Sequence, residues 1–432
     1  LDMAPMSGDD AATVMRAWSF GCLCLLVTLS CDTSTESGGT GDVTVSPDSL
    51  LGDDTEGGAD GPDATSSDGS EEVTEEPDIH VEGPPASLET ALTDPTRDSI
   101  CPDLDGEDLV WYEAKPIPAM RVEGQETDCL ACPGCGQCEW NLRHKRVSGG
   151  AETLIAVEQY AQTAPQVGDG LVTWLHSDGT AGVFELETGA LHTVKAPTNS
   201  YFNWAPTPSQ GALWWYGYNY VTGGSGIHVT DIDSGATEMK VQANIYENWS
   251  TPNGTLNSVT RSQPFSLAGG GATWTDWGNS SQLVRRWSAG SSAAEIAWED
   301  PTRDFTAAVG LDDGRLITKS YDRALGCSEM ACQPEIRLHD GKSVKELTGK
   351  GHPTLYGRPV VAGGRVFWLD FRDGPYAIWS RRLDDLATGP ERLSSEEAVL
   401  GAAAPVAASE SHLAWMDRRD GIWRIYVKAL AR

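Results

Sequence analysis

The chain has 432 residues, with 63 Asp and Glu against 31 Lys and Arg and a formal net charge of -32. That balance excludes a nucleic-acid binder, because such binding is driven by Lys and Arg neutralising phosphates. Cysteine is sparse apart from one cluster, CLACPGCGQC, which places Cys129, Cys132, Cys135 and Cys138 at a spacing of three.

Leu1 opens the chain and Met3, Met6 and Met15 come after it, so translation is expected to begin at Met15. Met15-Arg16 then make a short basic start, and Ala17 to Ser30 form an apolar stretch of 14 residues ending just before Cys31. The stretch is too short to span a bilayer comfortably and reads as a signal peptide, so residues 1–30 are expected to comprise upstream residues and that signal peptide. Thr28-Leu29-Ser30-Cys31 resembles the lipobox of bacterial lipoproteins, in which the cysteine is acylated and becomes the mature N-terminus. This makes Cys31 the expected lipid attachment site. Cleavage by ordinary signal peptidase after the small-x-small triplet Thr28-Leu29-Ser30 is the other reading.

Residues 32–97 contain no Phe, Trp or Tyr, 18 acidic residues and a single basic one, Arg97. Such a segment cannot bury enough apolar surface to offset its chain entropy, so residues 31–85 are expected to form a disordered acidic tether. Self-repulsion would extend it and lift the rest of the chain from an anionic surface. The alternative reading of this charge is a surface for a basic partner.

From residue 98 onward the composition changes, and 15 of the 16 Trp lie there. A repeat is plain near the C-terminus. Trp368-Leu-Asp370-Phe-Arg372-Asp373-Gly374 with Ile378-Trp379 is matched, 47 residues on, by Trp415-Met-Asp417-Arg-Arg419-Asp420-Gly421 with Ile425-Tyr426. Fainter copies share a proline nine or ten residues before the aromatic: Pro102 and Trp111, Pro165 and Trp174, Pro206 and Trp215, Pro264 and Trp274, Pro359 and Trp368, Pro405 and Trp415. A unit without these landmarks fits around Gly314 to Arg323. Each unit reads as four short strands, with a turn between the second and third that is Asp-x-Arg-Asp-Gly where it is tight. Units of 41 to 63 residues of this kind are β-propeller blades. The expected fold is therefore all-β, a propeller over residues 86–432 with seven four-stranded blades, or six if the weak unit is only a connection. The last unit runs out of chain before its outer strand. Residues 86–92, which alternate as a strand should, are expected to supply it and close the ring.

The pattern W-x-D-x-R-D-G-x-x-x-I-Y resembles the TolB-type propeller repeat of bacterial and archaeal envelope proteins. The resemblance implies a ring that binds other proteins or cell-surface components, in a fold that also hosts enzymes.

The acid two places after the Trp recurs as Glu113, Asp276, Asp370 and Asp417. Such carboxylates could ring a mouth and hold a cation, or accept hydrogen bonds from each blade's own turn while Arg372 and Arg419 stack nearby. The recurrence favours the turn role. His176 takes the acid's place in the second unit. No catalytic motif is visible among the eight histidines or around the serines, and neither cofactor nor metal is expected.

The four clustered thiols replace the tight turn of the first unit, in an insertion from Lys115 to Cys138. Cys327 and Cys332 lie in a matching expansion of the fifth, Leu325 to Pro334, and Cys101 is expected on the same rim. Disulfides suit an exported protein and long loops with little apolar content. Metal ligation and redox chemistry are the other readings of such spacing. If Cys31 is acylated, seven cysteines remain, an odd number.

Together these features describe a lipid-anchored protein of the bacterial cell envelope, periplasmic or surface-exposed. It touches the membrane only through its anchor and acts as a scaffold for an envelope protein or cell-surface component, with Trp140 as a candidate anchor residue. A propeller lyase or hydrolase acting on envelope glycans is the alternative.

Overall fold

A computed structural model describes residues 89–117, 138–159, 163–219, 221, 224–245, 264–277, 282–325, 334–349, 353, 357–372, 374–401 and 405–431. These form seven antiparallel sheets arranged as the blades of a β-propeller. Blade 1 runs outward through Ser99–Asp105, Asp108–Pro116, Cys138–Arg146 and Thr153–Glu158. Blades 2, 4, 5 and 6 repeat this order from Gln166–Gly168, Phe265–Ala268, Arg303–Gly310 and Val360–Ala362.

Blade 3 departs from the expected four strands. Its innermost position is split into Ser200–Phe202 and Thr207–Ser209, both paired with Ala212–Asn219. Blade 5 is a full blade although it lacks the Trp, so the ring has seven. In blade 7, Val406–Ala408, His412–Asp417 and Arg424–Ala429 come from the C-terminus, and the outer strand is Thr90–Ala91, opposite Val427 and Tyr426. That pairing covers the edge that the chain's end would otherwise leave open.

The repeat's landmarks have physical reasons. Pro165, Pro206, Pro264, Pro359 and Pro405 each stand directly before an innermost strand. An edge strand tolerates a residue with no N–H at its start. The repeated tryptophans form the inter-blade core: Trp111, Trp174, Trp215, Trp274 and Trp415 are fully buried and Trp368 nearly so. Burying one such side chain stabilises by about 2–3 kcal/mol, and six of them recur at one depth of the ring.

Gly182 lies opposite Trp174, and a Cβ added there would stand 2.3 Å from atoms of the indole ring. Gly182→Ala is therefore expected to cost about 2 kcal/mol through overpacking. Thermal melting checks this, and an unchanged midpoint would contradict the close packing of ring on backbone.

Candidate functional site

First strands lead away from one face of the ring and second strands return to it. The turns between second and third strands therefore share that face with the residues that precede each first strand. On this turn face every described carboxylate of the repeat is engaged.

In blade 7, Asp417 is fully buried. One of its oxygens accepts from the backbone N–H of Val399 and of Arg419, each at 2.9 Å. The other accepts from Trp415 Nε1 and from the Arg419 guanidinium. That guanidinium lies 4.2 Å over the ring of Tyr426. Blade 6 repeats the arrangement: Asp370 accepts from Trp368 Nε1 and from the backbone and side chain of Arg372, which lies 4.1 Å over Trp379. Gly374 and Gly421, at φ of 97° and 87°, adopt the left-handed conformation that lets these turns be tight. Asp420 ties its turn to the third strand by accepting from Arg424 and the Tyr426 hydroxyl, each at 2.7 Å. Asp373 lies outside the described residues.

Other blades build the same lock from different parts. The residue opposite the landmark position is Trp379 in blade 6 and Tyr426 in blade 7, but Arg143 in blade 1, Arg285 in blade 4 and Arg337 in blade 5. Arg143 reaches Glu113 at 3.1 Å, and Arg285 reaches Asp276 at 2.5 Å. In blade 5 the acid has crossed to the neighbouring strand: Ser320 stands where an Asp would, and Glu335 opposite it pairs with Arg303 and Arg337. The arginine thus comes either from the turn, stacked on an aromatic, or from the third strand directly. Either source provides the charge-assisted hydrogen bonds that a buried carboxylate requires.

Blade 2 borrows its acid from blade 1. Glu158, at the end of blade 1, accepts from Trp174 Nε1 at 2.8 Å and sits 2.7 Å from His176 Nδ1. The histidine is thereby oriented by a buried carboxylate across a blade boundary. In blade 3 the corresponding partner is His228, stacked on Trp215 at 4.3 Å. Because the carboxylates serve as acceptors inside these locks, they do not form an open ring. Among the described residues no group of three or more His, Cys, Asp and Glu could hold a metal ion.

Two cations occupy positions that carry no charge in the other repeats. Residues directly before the repeat's proline include Cys101, Ala164 and Ala205, all buried, whereas blade 6 carries Arg358. Its guanidinium donates to the carbonyls of Phe265 in blade 4 at 2.9 Å and Ala308 in blade 5 at 2.6 Å. Lys319 replaces the uncharged residue that comes after the landmark elsewhere and donates to the carbonyl of Gly357. Burial, with Arg358 adding to it, lowers its ammonium to about 7.

Two expectations need correction. Cys101 is not on the rim but in the core, wholly buried at a bulge of the innermost strand, with φ of 56° and its N–H 3.3 Å from Met416 Sδ. Burial pushes its thiol far above the ordinary range. Trp140 is also fully buried and cannot serve as an exposed anchor. The turn face instead exposes Phe371 and Val399, at 38% and 52%. Cys138 is buried where the first insertion rejoins the sheet. Cys31, Cys129, Cys132, Cys135, Cys327 and Cys332 lie outside the described residues.

No family model matches the sequence, and no curated protein matches it either. Solved structures do. The β-propeller domain of the trilobed protease from Pyrococcus furiosus superposes with a TM-score of 0.51 at 11% identity, over 78% of this chain and 98% of that one. Oligogalacturonate lyase from Vibrio parahaemolyticus gives 0.51 at 10% identity, over 80% and 94%. Acylaminoacyl peptidase from Pyrococcus horikoshii gives 0.51 at 12%, over 74% of this chain but only 49% of the peptidase. TolB from Acinetobacter baumannii superposes more loosely, with a TM-score of 0.37, too loosely to assign this chain to its family. At such identities the likeness is one of fold, and the fold common to this chain and the three better superpositions is the β-propeller.

Proposed function

We propose that this protein is a lipid-anchored, extracytoplasmic TolB-like propeller whose turn face binds an envelope protein or cell-surface component. One observation carries the reading. The two long departures from the tight turn, at 118–137 in blade 1 and 326–333 in blade 5, join the same pair of strands in their blades and so arise on one face. That face also exposes Phe371 and Val399. Loops carried on a rigid ring present a surface without adding to its core. Cys129, Cys132, Cys135, Cys138, Cys327 and Cys332 lie in or beside these loops, and cross-linking them as disulfides would lower the entropy lost on binding.

A second reading is a lyase or hydrolase acting on envelope glycans. It is favoured by Lys319 of blade 5 and Arg358 of blade 6, two neighbouring cations, with Arg358 reaching backbone carbonyls in blades 4 and 5. Affinity capture from native envelope extract with the full chain separates the two. A stoichiometric protein partner supports the scaffold, while turnover of an envelope glycan that is lost in Lys319→Met overturns it.

The anchor is tested separately. Cys31→Ala should move the protein from the membrane pellet to the soluble fraction. Retention in the pellet after a high-salt wash would contradict lipidation, since electrostatic attachment is screened there.

A further inference from the structure

Residues 89–99 do more than complete a sheet. Thr90 and Ala91 pair with the outer edge of blade 7, and the N–H of Leu92 donates to the Ile425 carbonyl at 2.8 Å. Buried Thr93 then receives three bonds from one strand start. Its carbonyl accepts from Arg424 Nε and Nη2, and its hydroxyl accepts from the N–H of Ile425. Glu89 accepts from the Ser395 N–H at 2.6 Å and pairs at 2.8 Å with Arg419, the same arginine that locks the turn of blade 7. Farther along, Asp98 accepts from the Trp423 N–H at 2.9 Å, and the Ser99 N–H donates to the Trp423 carbonyl at 2.7 Å.

The other half of the segment belongs to blade 1. The Asp98 carbonyl accepts from the Ala114 N–H at 2.9 Å, and Arg97 pairs with Glu113 at 2.7 Å. Glu113 also holds Asn141 and Arg143, the lock of blade 1. Ten residues therefore connect two turn locks, Asp417–Arg419 and Glu113–Arg143, that share no direct bond with each other.

We infer that residues 89–98 form a clasp that couples the turn locks of blades 7 and 1, docking and undocking as one unit. Two anchorages on a short segment make a two-state element, and a perturbation at either end biases both. This inference does not depend on the proposed partner or the proposed anchor.

Amide hydrogen exchange on the full chain tests it. In the unmodified protein, the Ile425 and Trp423 amides of blade 7 should share one opening equilibrium with the Ser99 and Ala114 amides of blade 1. Thr93→Ala should speed all four by tenfold or more while the amides of blade 4, at Gln282–Trp287, keep their rates. Glu113→Gln, at the far end, should speed Ile425 as well, because coupling is reciprocal. Faster exchange confined to blade 7 in Thr93→Ala, or an unaltered Ile425 in Glu113→Gln, would overturn the coupling. If Thr93→Ala does not fold, distinct opening free energies for the two pairs in the unmodified chain would overturn it equally.

Discussion

Asp417→Ala is expected to destabilise the ring by about 3–5 kcal/mol, the cost of removing one partner from a buried ion pair. The carboxylate has no exposure and accepts five hydrogen bonds, two of them from backbone N–H groups that would lose their acceptor. Arg419, only 13% exposed, would keep Glu89 but lose its nearest counter-charge. Arg419→Ala leaves the carboxylate its contacts with Trp415, Val399 and the turn, so it should cost less. The double variant should lose clearly less than the sum of the two, since once one charge is gone the second no longer has its partner. Denaturant unfolding of the three variants checks this. Additive losses would mean that the pair does not act as a lock.

Acidification should weaken the fold well before the ordinary carboxylates titrate. His339 is 3% exposed, its Nε2 lies 2.8 Å from the Thr318 hydroxyl, and its ring packs on Trp298. Burial, helped by Arg337 and opposed by Asp300 and Asp340, lowers its imidazolium to about 4 from the ordinary 6.5. His228, stacked on Trp215, is lowered to about 4 by burial as well. Between these values the unfolded chain binds a proton that the folded chain refuses. The stabilisation is therefore complete above pH 6.5 and is lost as pH falls toward 4, by roughly 3 kcal/mol for His339. Asp103 acts in the opposite sense. Burial raises its carboxyl to about 6, so it adds stability as pH falls below that value. His339→Gln should flatten the fall in melting temperature between pH 6.5 and 4, and Asp103→Asn should steepen it. Equal slopes in all three proteins would contradict the assignment.

The blade count, the positions of five of the six prolines, Pro102 lying instead within its strand, and the role of the repeated acids were legible because each rests on local chemistry. A proline suits a strand start, an Asp suits a tight turn, and both leave their mark in neighbouring residues. Partners that cross strands or blades leave no such mark. Arg143 and Arg285 are separated from their acids by a turn or an insertion, and Glu158 serves a tryptophan of the next blade. Only the strand register shows that the residue opposite the landmark is the lock's second component, aromatic in two blades and Arg in three. The fifth unit was faint for a related reason, since blade 5 replaces the Trp with Thr318 and moves the acid across to Glu335. Cys101 was misplaced because alignment beside a proline fixes sequence position but not burial. The bulge that turns it inward depends on pairing with the next strand. Lys319 and Arg358 belong to no motif, and their proximity results from how blade 6 enters the ring beside blade 5.

The central claim is that the turn face is the binding surface, and the first insertion is where it is tested most directly. Residues 115–138 can be replaced by Asp-Phe-Arg-Asp-Gly, the sequence of the tight turn at Asp370 to Gly374, leaving the strands on either side to pair as in blade 6. The shortened protein should melt as a folded ring and fail to recover the partner that the full chain captures from envelope extract. Recovery of the same partner with equal affinity would place the binding surface elsewhere.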